Sequence, residues 1–91
     1  MPNTIVIFTL DNCIHCTSLK KRLKKEKIPY VDIDIDSNQN IWNQVINQTG
    51  HNVVPSVFVK SDDIEEGPIY VPGKDFEDEN TIVEIIKTHF N

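Results

Sequence analysis

The stretch Thr4-Ile5-Val6-Ile7-Phe8-Thr9-Leu10-Asp11-Asn12-Cys13-Ile14-His15-Cys16 decides the reading of this chain. Its first six residues form a continuous β-branched and aromatic run without polar alternation. Such a run reads as a strand buried on both faces, as in a parallel sheet. Asp11 and Asn12 are helix-capping residue types, and they stand just before the cysteines. Leu19 and Leu23 then share one helical face, with lysines on the other. A helix is therefore expected from about Cys13 to about Lys27, ended by Ile28-Pro29, because the residue before a proline is biased away from helix.

Outward from that unit, Tyr30-Val31-Asp32-Ile33-Asp34-Ile35-Asp36 alternates strictly and reads as a strand with one polar face. Ser37 or Asn38 can cap a second helix, whose buried stripe is Ile41, Trp42, Val45 and Ile46, and Gly50 is a suitable stop. A third strand opens at a proline, Pro55-Ser56-Val57-Phe58-Val59-Lys60. A loop rich in Asp, Glu and Gly follows, then a short fourth strand, Ile69-Tyr70-Val71, and a Pro72-Gly73 turn. Ile82, Ile85, Ile86 and Phe90 mark a final amphipathic helix. The order is β-α-β-α-β-β-α. Its opening strand, helix and strand imply a right-handed parallel crossover, and its last two strands a hairpin. The expected fold is α/β, a thioredoxin-like four-stranded mixed sheet with helices on both faces.

A chain of 91 residues is one compact domain, residues 1–91, without room for a second core. The formal net charge of −5 disfavours nucleic acid as a partner, since binding phosphates needs a basic surface. No apolar run approaches the roughly 20 residues of a membrane helix. The start, Met1-Pro2-Asn3-Thr4, lacks the basic and apolar regions of a signal peptide, so a cytoplasmic location and a monomer are expected. Lys20, Lys21, Arg22, Lys24, Lys25 and Lys27 hold six of the nine basic residues. Most charge runs are solvated faces, and that is the first reading of this one; the alternative is that it raises the potential on the helix that carries the thiols and draws in anionic substrates.

The two cysteines are three residues apart. Stapling disulfides close long loops, so a pair this close reads as chemistry rather than scaffolding. A cysteine in the first helical turn meets free backbone N–H groups and the positive end of the helix dipole, which favour an anion. The thiolate is the attacking species, so Cys13 is the expected nucleophile and Cys16, one turn on and more buried, the resolving thiol. As an imidazolium, His15 can stabilise the Cys13 thiolate. Cys-x-x-Cys is also half of a tetrahedral zinc site. The chain has no second cysteine pair, and His51 and His89 are distant in sequence, so no metal is expected, though an iron–sulfur cluster shared across a dimer stays open.

Val53-Val54-Pro55 puts two β-branched residues before a proline that opens a strand. Proline is confined there to a strand start or a special turn. A cis X-Pro bond is one reading, since such bonds are usually purposeful features of turns, but from the dipeptide by itself an ordinary trans proline at a strand edge is the stronger reading.

With these segments, Val6 to Cys16, Ile28-Pro29-Tyr30 with Asp32-Ile33-Asp34, and Thr49-Gly50 with Val53 to Val59, the chain resembles the glutaredoxins from about residue 4 to about residue 60. The resemblance implies that Pro55 is cis and faces the cysteines, and that the Val54 backbone holds the cysteinyl part of glutathione. It implies glutathione as co-substrate, disulfide-containing or glutathionylated proteins as partners, with ribonucleotide reductase among such enzymes, and a potential near −200 to −230 mV. The match to the γ-glutamyl-binding turn is Gly73-Lys74-Asp75, with the Asp75 backbone N–H and carboxylate meeting the ligand. Trp42 falls where a polar residue often meets glutathione, and can stack on it or sit in the core. The family's lysine three residues before the first cysteine is Leu10 here, and its Pro-Tyr between the cysteines is Ile14-His15. Two rivals share the fold: a redoxin reduced by thioredoxin reductase, and an iron–sulfur cluster carrier, whose usual single-cysteine signature is at odds with Cys16.

Overall fold

The computed structural model describes residues 4–60 and 67–89. Seven elements follow in the expected order: β1 (Thr4–Thr9), α1 (Ile14–Lys25), β2 (Val31–Asp34), α2 (Gln39–Thr49), β3 (Ser56–Lys60), β4 (Ile69–Tyr70) and α3 (Glu79–Thr88). The sheet runs β2-β1-β3-β4. β1 is parallel to β2, with Val6 beside Val31, and antiparallel to β3, with Ile7 beside Val57. β4 is antiparallel to β3.

The unbroken apolar run of β1 follows from its central place. Ile5 and Ile7 point into a core built with Leu19 and Leu23 of α1 and Ile82, Val83 and Ile86 of α3. Val6 and Phe8 point the other way, into a smaller core with Trp42 and Val45 of α2. Successive strand side chains alternate in direction, and with helices on both faces both directions are apolar. The thioredoxin-like α/β expectation is borne out.

The boundaries differ from the sequence reading for local reasons. α1 ends at Lys25, because Lys27 turns left-handed (φ 60°) and the N–H groups of Lys27 and Ile28 donate to the carbonyls of Lys24 and Leu23. That is a Schellman closure with lysine where glycine is usual. β2 stops at Asp34, whose carboxylate accepts from the Asp36 N–H and the Ser37 hydroxyl, an Asx-type turn that competes with the ladder. Asn38 holds the N-cap position of α2 but makes no side-chain capping bond; its amide donates back to the Asp34 carbonyl. β4 excludes Val71, whose N–H is taken by the Asp75 carboxylate at 2.8 Å. Ile41, expected in the buried stripe of α2, is 43% exposed; Trp42 and Val45 carry the contact. Phe90 lies outside the described residues, as does part of the acidic loop.

Polar groups tie α1 into this frame. The Thr9 hydroxyl and the Lys20 ammonium both donate to Asp32, at 2.5 and 2.9 Å, linking β1, α1 and β2. Burial pushes the Asp32 carboxyl up, but these two hydrogen bonds outweigh it and hold it below its usual range. Arg22 reaches Glu26, Glu79 and Asn80, and Lys87 reaches Glu26, so a ladder of charges runs between α1 and α3.

Asp78 is the N-cap of α3, accepting from the Thr81 N–H at 2.7 Å. Thr81, through its backbone N–H first and then its hydroxyl, lowers the Asp78 pKa from the ordinary 3.8. The carboxylate form is thus the one the fold favours, and its contribution is present above that value and is lost as pH falls through the folded one. Asp78→Ala is expected to lower the urea midpoint at pH 6, and the gap to wild type is expected to close on acidification below pH 4.

Candidate functional site: the Cys13–Cys16 pair and the cavity beside it

Cys13 is the N-cap of α1, with extended backbone (φ −95°, ψ 109°). Neither Asp11 nor Asn12 caps the helix; the sulfur does so itself. Its Sγ accepts from the Cys16 N–H at 3.1 Å, taking up one of the N–H groups that a helix start leaves unpaired. Asn12 instead supplies the sharp entry, with φ 62°, a conformation that asparagine tolerates better than most residues. The first turn of α1 has no acidic side chain, and Arg22, Lys24 and Lys25 occupy its last turn. Both features suit an anion at Cys13: no carboxylate competes for the helix start, and the cations complement the other end of the dipole.

Cys13 and Cys16 are joined as a disulfide, with Cα atoms 5.2 Å apart. They differ in access. Cys16 is 1% exposed, while Cys13 is half-buried at the surface. Of the two sulfurs, that of Cys13 is therefore the one with access to the surface. His15 and Ile14 are both exposed.

The Val54-Pro55 bond is cis, as the family resemblance implied. Pro55 stands one residue before β3, so its missing N–H costs the sheet nothing. The Ser56 hydroxyl, 1% exposed, donates to the Val53 carbonyl at 2.6 Å and closes the turn. Among the described residues the Val54 N–H and C=O take no partner, so they stand available to an extended chain.

His15, Val54 and Pro55 line one cavity of about 350 Å³ with Gly73, Phe76 and the start of α3. Cys13 opens onto an adjoining shallow groove over α1. Gly73 joins the cavity in a left-handed conformation, φ 85°, with open space where a Cβ would lie. A Gly73→Ala side chain fits, but the backbone resists; a loss of about 1 kcal/mol in urea unfolding is expected.

The other expected residues are placed differently. Lys74 and Asp75 are not among the residues that line the cavity. The Asp75 N–H donates to the Val71 carbonyl at 2.8 Å, and its carboxylate accepts from the Val71 N–H. Both groups proposed for a ligand are thus spent on the turn. Trp42 packs against Phe8 on the far face of the sheet, ring centroids 5.6 Å apart, and its indole N–H donates to Asn52 at 2.9 Å. It is 6% exposed, so of the two roles open to it in sequence the structure gives it the core one. The cavity gains instead Glu77, Asp78 and Glu79 at its rim and Phe76 in its wall. Reading the last helix for its buried stripe missed them, although the capping residue Asp78 before Glu79-Asn80-Thr81 marks the helix start.

A family model described as Glutaredoxin matches residues 5–64, from β1 through β3. The chain belongs to the glutaredoxin family. Glutaredoxins of Vernicia fordii and Ricinus communis are each 32% identical to it over 60 residues, 63% of this chain. The matched part is 58% and 59% of those two proteins, so the chain spans just under three fifths of the curated relatives it matches. Among solved structures, a mutant of the thioredoxin-like protein BC3987 has TM-score 0.63 at 17% identity, covering 96% of this chain and 99% of its own. A thioredoxin-2 described as a component of malaria parasite protein secretion machinery has TM-score 0.57 at 17% identity, covering 97% and 84%. Likeness at that identity concerns the fold, and the fold is thioredoxin-like. In this glutaredoxin the family match ends before the turn at Gly73 and α3, the part of the cavity that sequence reasoning placed least well.

Proposed function

We propose that this glutaredoxin is a thiol–disulfide oxidoreductase that reduces protein disulfides or glutathione mixed disulfides, and that glutathione restores its dithiol. One observation carries the reading: an accessible sulfur caps a helix start and pairs with a buried sulfur one turn on. A helix start favours the Cys13 thiolate over the thiol. That thiolate attacks one sulfur of the substrate disulfide; a mixed disulfide forms and the other sulfur leaves as a thiolate that takes a proton. Cys16 then attacks the Cys13 sulfur and releases the substrate's second thiol, closing the Cys13–Cys16 disulfide. Two glutathione molecules reopen it, themselves becoming one disulfide.

Glutathione fits the cavity by donor set. Its cysteinyl backbone pairs with the unpartnered Val54 N–H and C=O, its sulfur reaches the surface where Cys13 lies, and the rim carboxylates suit its ammonium. The Leu10 position supplies no cation for a glutathione carboxylate, and Asp75 is engaged in its own turn. Those two facts favour a second reading, a redoxin recharged by a flavoprotein reductase. Either chemistry belongs in a reducing compartment such as the cytoplasm.

A coupled assay with millimolar glutathione, glutathione reductase and a small mixed disulfide separates the two readings. Turnover is expected; its absence, with activity restored by thioredoxin reductase, would replace the first reading with the second.

A further inference from the structure

The reactive sulfur has opposite charges on its two sides. Toward α3, the cavity rim carries Glu77, Asp78 and Glu79 with no lysine or arginine. Toward α1, the groove of about 460 Å³ that Cys13 lines ends at Lys21. From there the outer face of the helix continues. At 3.6 residues per turn, Ile14, Lys21 and Lys25 lie on the side opposite Cys16, Leu19 and Leu23, with Lys24 on the adjoining flank, and all four are exposed.

Ion pairing sets these three lysines apart from Lys20 and Arg22 on the same helix. Lys20 is held by Asp32, Arg22 by Glu26 and Glu79, and Lys87 by Glu26 and Glu84. Lys21, Lys24 and Lys25 take no ion pair among the described residues. Like charges three and four residues apart on a helix are mildly destabilising. In a chain of net charge −5, an uncompensated cationic strip begins beside Cys13. Between strip and sulfur stands Ile14, 82% exposed, an apolar contact of the kind that interface centres bury.

We propose that the outer face of α1 is the docking surface for the protein substrate, and that it takes a disulfide whose flanking segment is acidic. The proposal rests on the thiol–disulfide reading of Cys13 and adds the class of protein it serves. The 12 residues of α1 extend roughly 17 Å, the span of about five residues of extended chain. Carboxylates on such a segment meet Lys21, Lys24 and Lys25 while its disulfide rests at Ile14 and presents one sulfur to Cys13. The exchange is the one written above: the partner gains two electrons and two protons, and the enzyme closes Cys13–Cys16. Charges placed this way act chiefly on the rate of encounter.

The test mixes pre-reduced protein with three disulfides and no other reductant. Two are cyclic peptides differing only in their flanking residues, Asp and Glu in one and Lys in the other; the third is hydroxyethyl disulfide, which is uncharged. Each peptide rate is divided by the hydroxyethyl disulfide rate, which absorbs any change in the reactivity of Cys13. At about 20 mM salt the acidic peptide is expected to react about ten-fold faster than the basic one, and the gap to close near about 0.5 M salt. The variant Lys21→Glu/Lys24→Glu/Lys25→Glu is expected to reverse the order. Equal rates, or a faster basic peptide, in the wild type overturn the proposal, as does a preference that survives high salt or the triple variant. The salt series needs no variant and decides the matter even where the triple variant does not fold. Failure to reduce hydroxyethyl disulfide defeats the thiol–disulfide reading itself, and the docking proposal with it.

Discussion

On the proposed exchange route, Cys13→Ser is expected to lower turnover in the glutathione-coupled assay by at least about a thousand-fold, because losing the proposed nucleophile removes that covalent route altogether. A serine hydroxyl does not ionise at a helix start near neutral pH and cannot replace the thiolate. Cys16→Ser is expected to separate two activities. Reduction of a glutathione mixed disulfide needs only Cys13 and an outside thiol, so it is expected to persist within about ten-fold of wild type. Reduction of a protein disulfide by the dithiol route is expected to stop at the mixed disulfide, which mass spectrometry detects as a trapped adduct. The asymmetry follows from access: Cys13 lines the surface groove and Cys16 is 1% exposed. Equal loss in both variants on the small mixed disulfide would remove the monothiol route from this account.

The second large effect falls on stability. Leu23 is fully buried where α1, α3 and the sheet meet. Leu23→Ala deletes three carbons and leaves a cavity, at a cost of about 2–5 kcal/mol. Domains of this size hold about 5–15 kcal/mol in all, so the variant is expected to lose a large share of its folding free energy. The thermal midpoint is expected to fall by roughly 10–20 °C. Leu23→Met nearly preserves volume and is expected to cost less than about 1.5 kcal/mol, whereas Lys24→Ala next to it is expected to stay within about 0.5 kcal/mol. A Leu23→Ala protein melting near wild type would mean that the α1 packing is looser than the structure describes. The effect reaches function, since α1 carries both cysteines and the main core sets its position against β1.

How much of this was legible in sequence depends on the range of the forces involved. The apolar run of β1 announced a central strand because both faces of that strand need apolar partners. The stripe of Leu19 and Leu23, and the glycine stop at Gly50, whose N–H donates to the Ile46 carbonyl, were legible for the same local reason. The ends of α1 and β2 were not, since Lys27 in a left-handed closure and Asp34 in an Asx turn use residues that are common elsewhere. The cis bond at Val54-Pro55 was not readable from the dipeptide and came through the family resemblance. The engagement of Asp75 was not readable either, because its carboxylate finds a backbone N–H four residues upstream, a contact made by the turn's closure rather than by any motif.

The sequence by itself determined the element order, the thioredoxin-like fold and the placing of Cys13 and Cys16 one turn apart at a helix start, because periodicity, capping chemistry and a three-residue spacing are local properties. Tertiary structure alone decided what surrounds those cysteines. It set Glu77, Asp78 and Glu79 at the rim of the cavity, turned Trp42 into the far core, and among the described residues left Lys21, Lys24 and Lys25 without ion pairs while Lys20 and Arg22 found theirs. Those outcomes depend on which segments the sheet brings together across tens of residues, and residue spacing carries no record of that.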